Sequence, residues 1–392
     1  MPAARIRPMS PGIGIQRDLL DVTSSAGRGL ASMGRGLASA GRGLAKGARA
    51  AGKMAVDGAT AVKDGAVGLG RAIHRSDFDD LNATQYLVSA GGRIEAIDRR
   101  VENGVVVYYK TGLVTRGDGD RPTVDPYDQA VAMPDGWLPT VTHINGMMVK
   151  PNSGIGSAIR LQQELEKAGG EAVLTSEVPS VLYTYSAHRG FVTDLAECVW
   201  GKLYQDDDAT DRQTQIMIDA VENRHRTTVS AHSRGTIKTD NAVRNAHARL
   251  SANHLPTVRT DPAVMQRAAD AARLAAGLGR ATGPALSEAM LRPVFQRLFA
   301  REEADRRATA DMDRYIQLIY AGNAVQFPSA SVNLNLIVAG SDPVTIGVGK
   351  YFRVAAGAKT KMTDVAGGHG FNDNYAATVA RQIIADLEAQ QR

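Results

Sequence analysis

The chain of 392 residues is long enough for one large domain or two ordinary ones, and with 43% hydrophobic residues it can bury a sizeable core. A single cysteine, Cys198, excludes an internal disulfide and a cysteine-rich zinc site, so the fold does not need an oxidising compartment. The net charge of +5 is unevenly held: residues 1–75 carry 12 Lys and Arg against 4 Asp, a net of +8, and the remainder carries 34 basic against 37 acidic residues.

That basic leader repeats itself as GRGLASM, GRGLASA and GRGLAKG, then decays into ARAAGKM. Drawn as a helix, it stacks Arg28, Arg35, Arg42 and Arg49 on one side and Leu30, Leu37 and Leu44 on the other. Eight glycines between residues 27 and 52 oppose that helix by roughly 6–8 kcal/mol. Two readings stand: a disordered or targeting segment, and an amphipathic one that meets an anionic membrane or a partner's groove. With no aromatic residue to stack on bases, the stretch does not suggest nucleic acid. Arg5 and Arg7 are not followed by an apolar core, so no cleavable signal peptide is expected, and no run of 18 apolar residues suggests a spanning helix.

Order is expected from about residue 76 onward. Residues 85–114 alternate apolar and polar positions around Asn103-Gly104, a strong hairpin turn, and predict an antiparallel meander. Residues 115–135 read as a polar loop. Leu138–Ile144 is a predicted strand and Ser157–Ala168 a helix closed by Gly169-Gly170. Short strands follow at Ala172–Thr175 and Val181–Tyr185, with helices around Asp194–Leu203 and Gln213–Asn223. Thr227–Ser230 is then a strand, and this alternation argues a parallel α/β sheet. Residues 262–322 are helical in pattern but interrupted by Pro284 and Pro293, which predicts two or three helices. Val332–Val338 resumes the sheet, and Tyr375–Gln390 closes the chain as an amphipathic helix.

The strand at Thr227 breaks off in AHSRG. Ala231 and Gly235 place a small residue two before and two after Ser233, the steric requirement of a sharp strand-to-helix turn that pushes the serine out of the sheet. A serine hydroxyl needs a base to take its proton, and the base needs a carboxylate to hold its tautomer. Asp342 follows the strand VNLNLIVAG, and His369 lies in AGGHG with Gly367, Gly368 and Gly370 about it, just before the last helix. An oxyanion hole needs two backbone N–H donors. Arg234 supplies one. Gly146 or Met147 in THINGMM supplies the other, with His143 or Asn145 orienting that loop.

With serine, aspartate and histidine in that order, the first two after strands and the third in a loop before the last helix, the chain from about residue 136 resembles the α/β-hydrolase superfamily. The resemblance implies a mainly parallel sheet flanked by helices, a helical lid at about 245–325, and a domain spanning 76–392 with the antiparallel meander at its start. It implies a serine ester hydrolase acting through an acyl-enzyme on a lipid, phospholipid or other carboxylic ester, with no metal or organic cofactor. Ala231 departs from the first glycine of G-x-S-x-G. More narrowly, HINGM, YTYS and AHSRGT resemble bacterial lipase-like hydrolases, and, more loosely, the HSRG string with the basic leader resembles secreted effectors, including the phospholipases of type VI secretion. That likeness implies synthesis in a bacterial cytoplasm, a dedicated secretion route or membrane association, and a secretion machinery, chaperone or immunity protein as partner.

Each residue also has a plainer account. Asp342-Pro343 serves equally as a turn, and His369 as a loop histidine. His232 reads as an elbow residue packed beside the sheet, and His188, His225, His247 and His254 lack metal-ligand spacing. Asp194 is a second candidate acid but precedes the serine. GVGK at 347–350 lacks the first glycine and the Ser or Thr of a phosphate loop. The apolar positions Leu286, Phe295 and Phe299 serve the core, line an acyl-chain pocket or meet a membrane. The alternative function is a hydrolase-shaped binding protein whose leader engages a membrane or a protein partner and whose serine is idle.

Overall fold

The computed structural model describes residues 85–117, 119, 121–146, 149–171, 178–186, 208–280, 287–322, 333–339, 360–365 and 368–391. The chain divides into two units, Met1–Ser76 and Asp77–Arg392, and all the described residues belong to the second. The readings of the leader, of Ala172–Thr175, of the helix around Asp194–Leu203 and of GVGK lie outside them.

The antiparallel part is larger than expected. Strands β1 (Gln85–Val88), β2 (Ile94–Glu102) and β3 (Val105–Arg116) form the predicted meander, with Asn103 and Gly104 at φ of 53° and 80° in the turn. A fourth strand, β4 (Pro122–Ala132), occupies what reads in sequence as a polar loop. It is the outermost strand of the sheet, and most of its side chains are exposed, so it carries no apolar alternation to betray it. A double hydrogen bond ties this region to the next layer: Arg99 grips Asp219 through Nε and one Nη at 2.6 Å each, and Tyr108 donates to the same carboxylate at 3.1 Å.

Six strands then run parallel. They are β5 (Val141–Ile144), β6 (Val181–Thr184), β7 (Thr227–His232), β8 (Ile316–Ala321), β9 (Asn333–Ala339) and β10 (Thr360–Val365). The sheet order is β10-β9-β8-β7-β5-β6-β1-β2-β3-β4, with β1 antiparallel to β6. The described helices are α1 (Pro151–Glu171), α2 (Asp208–Glu222), α3 (Arg234–Arg259), α4 (Pro262–Arg280), α5 (Glu288–Tyr315) and α6 (Ala376–Gln391). Helix α1 runs past Gly169-Gly170 to Glu171, so the glycine pair does not close it.

Period-two alternation divides strands β5, β8 and β9 between two cores. Ile319 and Ala321 of β8 face α1 and α6, where Leu161, Leu165, Val379 and Ile383 are buried. Leu318 and Tyr320 face the opposite side, where Met217 of α2, Val243 of α3 and Met312 of α5 pack. Strand β8 is a correction to the helical reading of 262–322. Tyr315 ends α5 and Ile316 begins the strand with no glycine or proline between them, so no local signal marks the change. Pro293 does not break α5 either and lies inside it. Strand β10 has no counterpart among the predicted elements, because its sequence TKMTDV has only two apolar positions.

Candidate active site

Ser233 follows the last residue of β7 and precedes the first residue of α3. Its backbone stands at φ 52°, ψ −122°, a left-handed conformation that costs an L-residue of order 1–3 kcal/mol and survives only where its surroundings impose it. The surroundings are visible. A Cβ at Gly235 would lie 2.7 Å from the Asn145 carbonyl oxygen and 2.8 Å from that of Ile144, so only glycine lets α3 start against the end of β5. Ala231 is fully buried two residues before. On the chain, Ser233 N–H donates to Ala321 O at 3.1 Å, and Thr236 returns both its N–H and its hydroxyl to Ser233 O.

His369 meets this serine from the loop after β10. Its Nε2 lies 2.8 Å from Ser233 Oγ, which donates to it when the ring is neutral. The two residues are 136 positions apart in the chain. Phe371 and Tyr375, in one wide helical turn that leads into α6, are buried and anchor the loop from below. Phe371 packs on the ring of His143 at 4.5 Å and on that of His232 at 5.5 Å.

On the other side stands the loop after β5. A Cβ at Gly146 would be 3.0 Å from Ser233 Cβ and 2.9 Å from His232 Nδ1, so this backbone presses directly on the elbow. Asn145 fixes its course. Asn145 Oδ1 accepts from Tyr183 Oη at 2.9 Å and from Ser186 N at 2.8 Å, and its Nδ2 donates to Gly146 O at 3.0 Å and to Ser186 O at 3.2 Å. One amide thereby ties the ends of β5 and β6 together. The Arg234 side chain is buried and donates to Ser186 O at 3.2 Å and Ser186 Oγ at 3.0 Å. The elbow helix, the Gly146 loop and the YTYS segment are in this way one hydrogen-bonded unit.

His143 is fully buried behind the loop, not at its mouth, with Nδ1 3.2 Å from Ser230 Oγ and Nε2 3.2 Å from Ser157 Oγ. Desolvation pushes its pKa down to about 3, so it stays neutral and joins β5, β7 and α1. The structure therefore brings Ser233, His369, Gly146, Asn145 and the Arg234 backbone together. Asp342, Met147 and Asp194 lie outside the described residues. Among the described residues no cluster of His, Cys, Asp and Glu could hold a metal ion, and no helix is long and apolar enough to cross a membrane.

Sequence reasoning assigned His232 only to packing. Its Nε2 in fact lies 2.8 Å from the carbonyl oxygen of His369, and its ring is 4.7 Å from the His369 ring. Nothing in residue spacing could have paired two positions 137 apart.

Parallel strands ordered β6-β5-β7-β8-β9-β10, a strained serine elbow after β7, and a histidine loop between β10 and the last helix decide the architecture. The fold is that of the α/β-hydrolases. Solved structures with which it overlaps include an esterase from Pyrobaculum calidifontis, at 14% identity and a TM-score of 0.30 over 75% of this chain and 84% of that one. They also include carboxyl esterase 2 from the mycorrhizal fungus Tuber melanosporum, at 11% and 0.32 over 76% and 86%. A third is a fungal esterase from Rhizomucor miehei, at 14% and 0.31 over 83% and 97%. No family model matches the chain, and no curated protein matches it. The α/β-hydrolase assignment stands on the strand order and the elbow themselves.

Proposed function

We propose that this protein is a serine hydrolase of carboxylic esters. The observation that carries the reading is the 2.8 Å contact between Ser233 Oγ and His369 Nε2 at a serine held at positive φ. Ser233 Oγ attacks the ester carbonyl as His369 Nε2 takes its proton. Asp342 holds the Nδ1–H tautomer and stabilises the imidazolium. The backbone N–H groups of Arg234 and of Gly146 or Met147 hold the oxyanion. His369 then protonates the departing alcohol, an acyl-Ser233 ester remains, and water activated by the same imidazole releases the acid. No step calls for a metal or an organic cofactor. Hydrolysis of p-nitrophenyl esters by the purified protein tests the reading: activity is expected, and activity that survives Ser233→Ala would refute it.

Within this reading the preferred substrate is a lipid or phospholipid ester. Support comes from α5, which leaves Met290, Val294 and Leu298 at 61%, 60% and 56% exposure along one helical stripe. Exposed Arg297 and Arg301 fall on the same side. Such a surface suits an anionic lipid layer. The residues 1–75 are assigned a second contact of this kind, and secretion as a bacterial effector is the biological setting proposed for it. A p-nitrophenyl series from acetate to palmitate separates lipase from short-chain esterase: activity rising with chain length and with added phosphatidylglycerol vesicles supports a lipid substrate. A preference for acetate with no response to vesicles refutes it.

A further inference from the structure

We infer that His232 is a positioning residue that holds the base loop and the oxyanion loop in one register about Ser233. The inference rests on the serine-hydrolase reading of that serine.

His232 is the last residue of β7 and is 7% exposed. A backbone carbonyl can only accept, so the 2.8 Å contact with His369 O requires the hydrogen on His232 Nε2. In the neutral ring that tautomer leaves Nδ1 as an acceptor, and Nδ1 faces Gly146, where an added Cβ would come within 2.9 Å of it. One imidazole therefore touches both loops that flank the serine.

The base loop needs such a hold. His369 sits in AGGHG, and glycines on both sides leave its backbone few intrinsic preferences. The bond from His232 is to the carbonyl of the base residue itself, so it fixes the point from which the His369 side chain springs. Stacking alone, at 4.7 Å from the His369 ring, would ask only for a flat side chain. The directed Nε2–H asks for a donor at that depth. A reacting group misplaced by ~1 Å costs on the order of 100-fold in rate, which sets the scale of the expected effect.

Glutamine places an amide N–H near the depth of Nε2, and asparagine stops short of it. Leucine keeps bulk and removes the donor. Steady-state ester hydrolysis and the rate of fluorophosphonate labelling are measured for H232Q, H232N and H232L, with thermal unfolding to establish that each is folded. We expect kcat and labelling rate to fall about 10- to 100-fold in H232N and H232L, KM to stay within about twofold, and H232Q to recover to within about fivefold of wild type. Should H232L not fold, the Gln and Asn pair carries the same comparison. Wild-type rates in H232N, or a Gln variant as slow as Asn, would overturn the inference. Failure of the underlying reading looks different: Ser233 of the wild-type protein would take no adduct at all.

Discussion

Ser233, after the central strand β7, and His369, after the edge strand β10, meet at 2.8 Å, hydroxyl to ring nitrogen. Ser233 is held by the turn after β7 and His369 by the aromatic anchor that Phe371 and Tyr375 give to the loop after β10. On the proposed reading, truncating either member removes the nucleophile or its base and leaves the cores untouched. Ser233→Ala and His369→Ala are each expected to lower kcat by at least about 10³-fold with little change in unfolding midpoint, measured by ester hydrolysis beside thermal melts.

Asp342 is proposed as the third member. Asp342→Asn is expected to lower kcat by on the order of 10³- to 10⁴-fold, because the amide favours the wrong tautomer of His369. Asp194→Asn serves as the comparison and should leave the rate within about twofold. The reverse order of the two variants would move the acid to Asp194.

The elbow glycine is predicted to matter for folding more than for chemistry. A methyl group at Gly235 meets two backbone oxygens at 2.7 and 2.8 Å, and neither the end of β5 nor the start of α3 can shift alone. Gly235→Ala should cost about 1–3 kcal/mol in chemical denaturation. Gly146→Ala instead meets Ser233 Cβ and the His232 ring, so its main effect is expected on kcat.

His143 makes stability depend on pH. Its pKa in the folded protein is depressed to about 3 by burial, against about 6.5 in the unfolded chain. The unfolded state therefore binds the proton more readily between those values. The stabilising contribution is complete above about pH 6.5 and is lost as pH falls towards 3, by up to about 1.4 kcal/mol per pH unit. Denaturation of His143→Gln at several pH values should show a shallower slope in that window. An unchanged slope would mean that His143 is not the group responsible.

Asp219 anchors the antiparallel part to α2. Its carboxylate is buried and receives Arg99 twice and Tyr108 once. Asp219→Ala leaves a guanidinium and a phenol facing an empty site and should destabilise by about 3–5 kcal/mol, with Ser233 reactivity retained in the folded fraction.

What could be read before the structure was what sterics and periodicity write locally. Ala231 and Gly235 announce the elbow because nothing larger fits against the end of β5. Asn103-Gly104 announces a hairpin because both positions need positive φ. Strand β4 stayed hidden because an outermost strand with exposed side chains on both faces has no hydrophobic alternation. Strand β8 stayed hidden because α5 flows into it at Ile316 without a breaker, and its six buried residues, IQLIYA, suit a buried helix as well as a central strand. The His232 bond to His369 and the Asn145 bridge to Ser186 join segments through the sheet order, which no local pattern encodes.

The central claim is that Ser233 is an activated nucleophile. The most direct test is treatment of the folded protein with a fluorophosphonate, followed by peptide mass spectrometry, with and without phosphatidylglycerol vesicles. The account predicts a single adduct on Ser233 that is lost in His369→Ala. Folded protein that takes no adduct under either condition, or takes it on another residue, would contradict it.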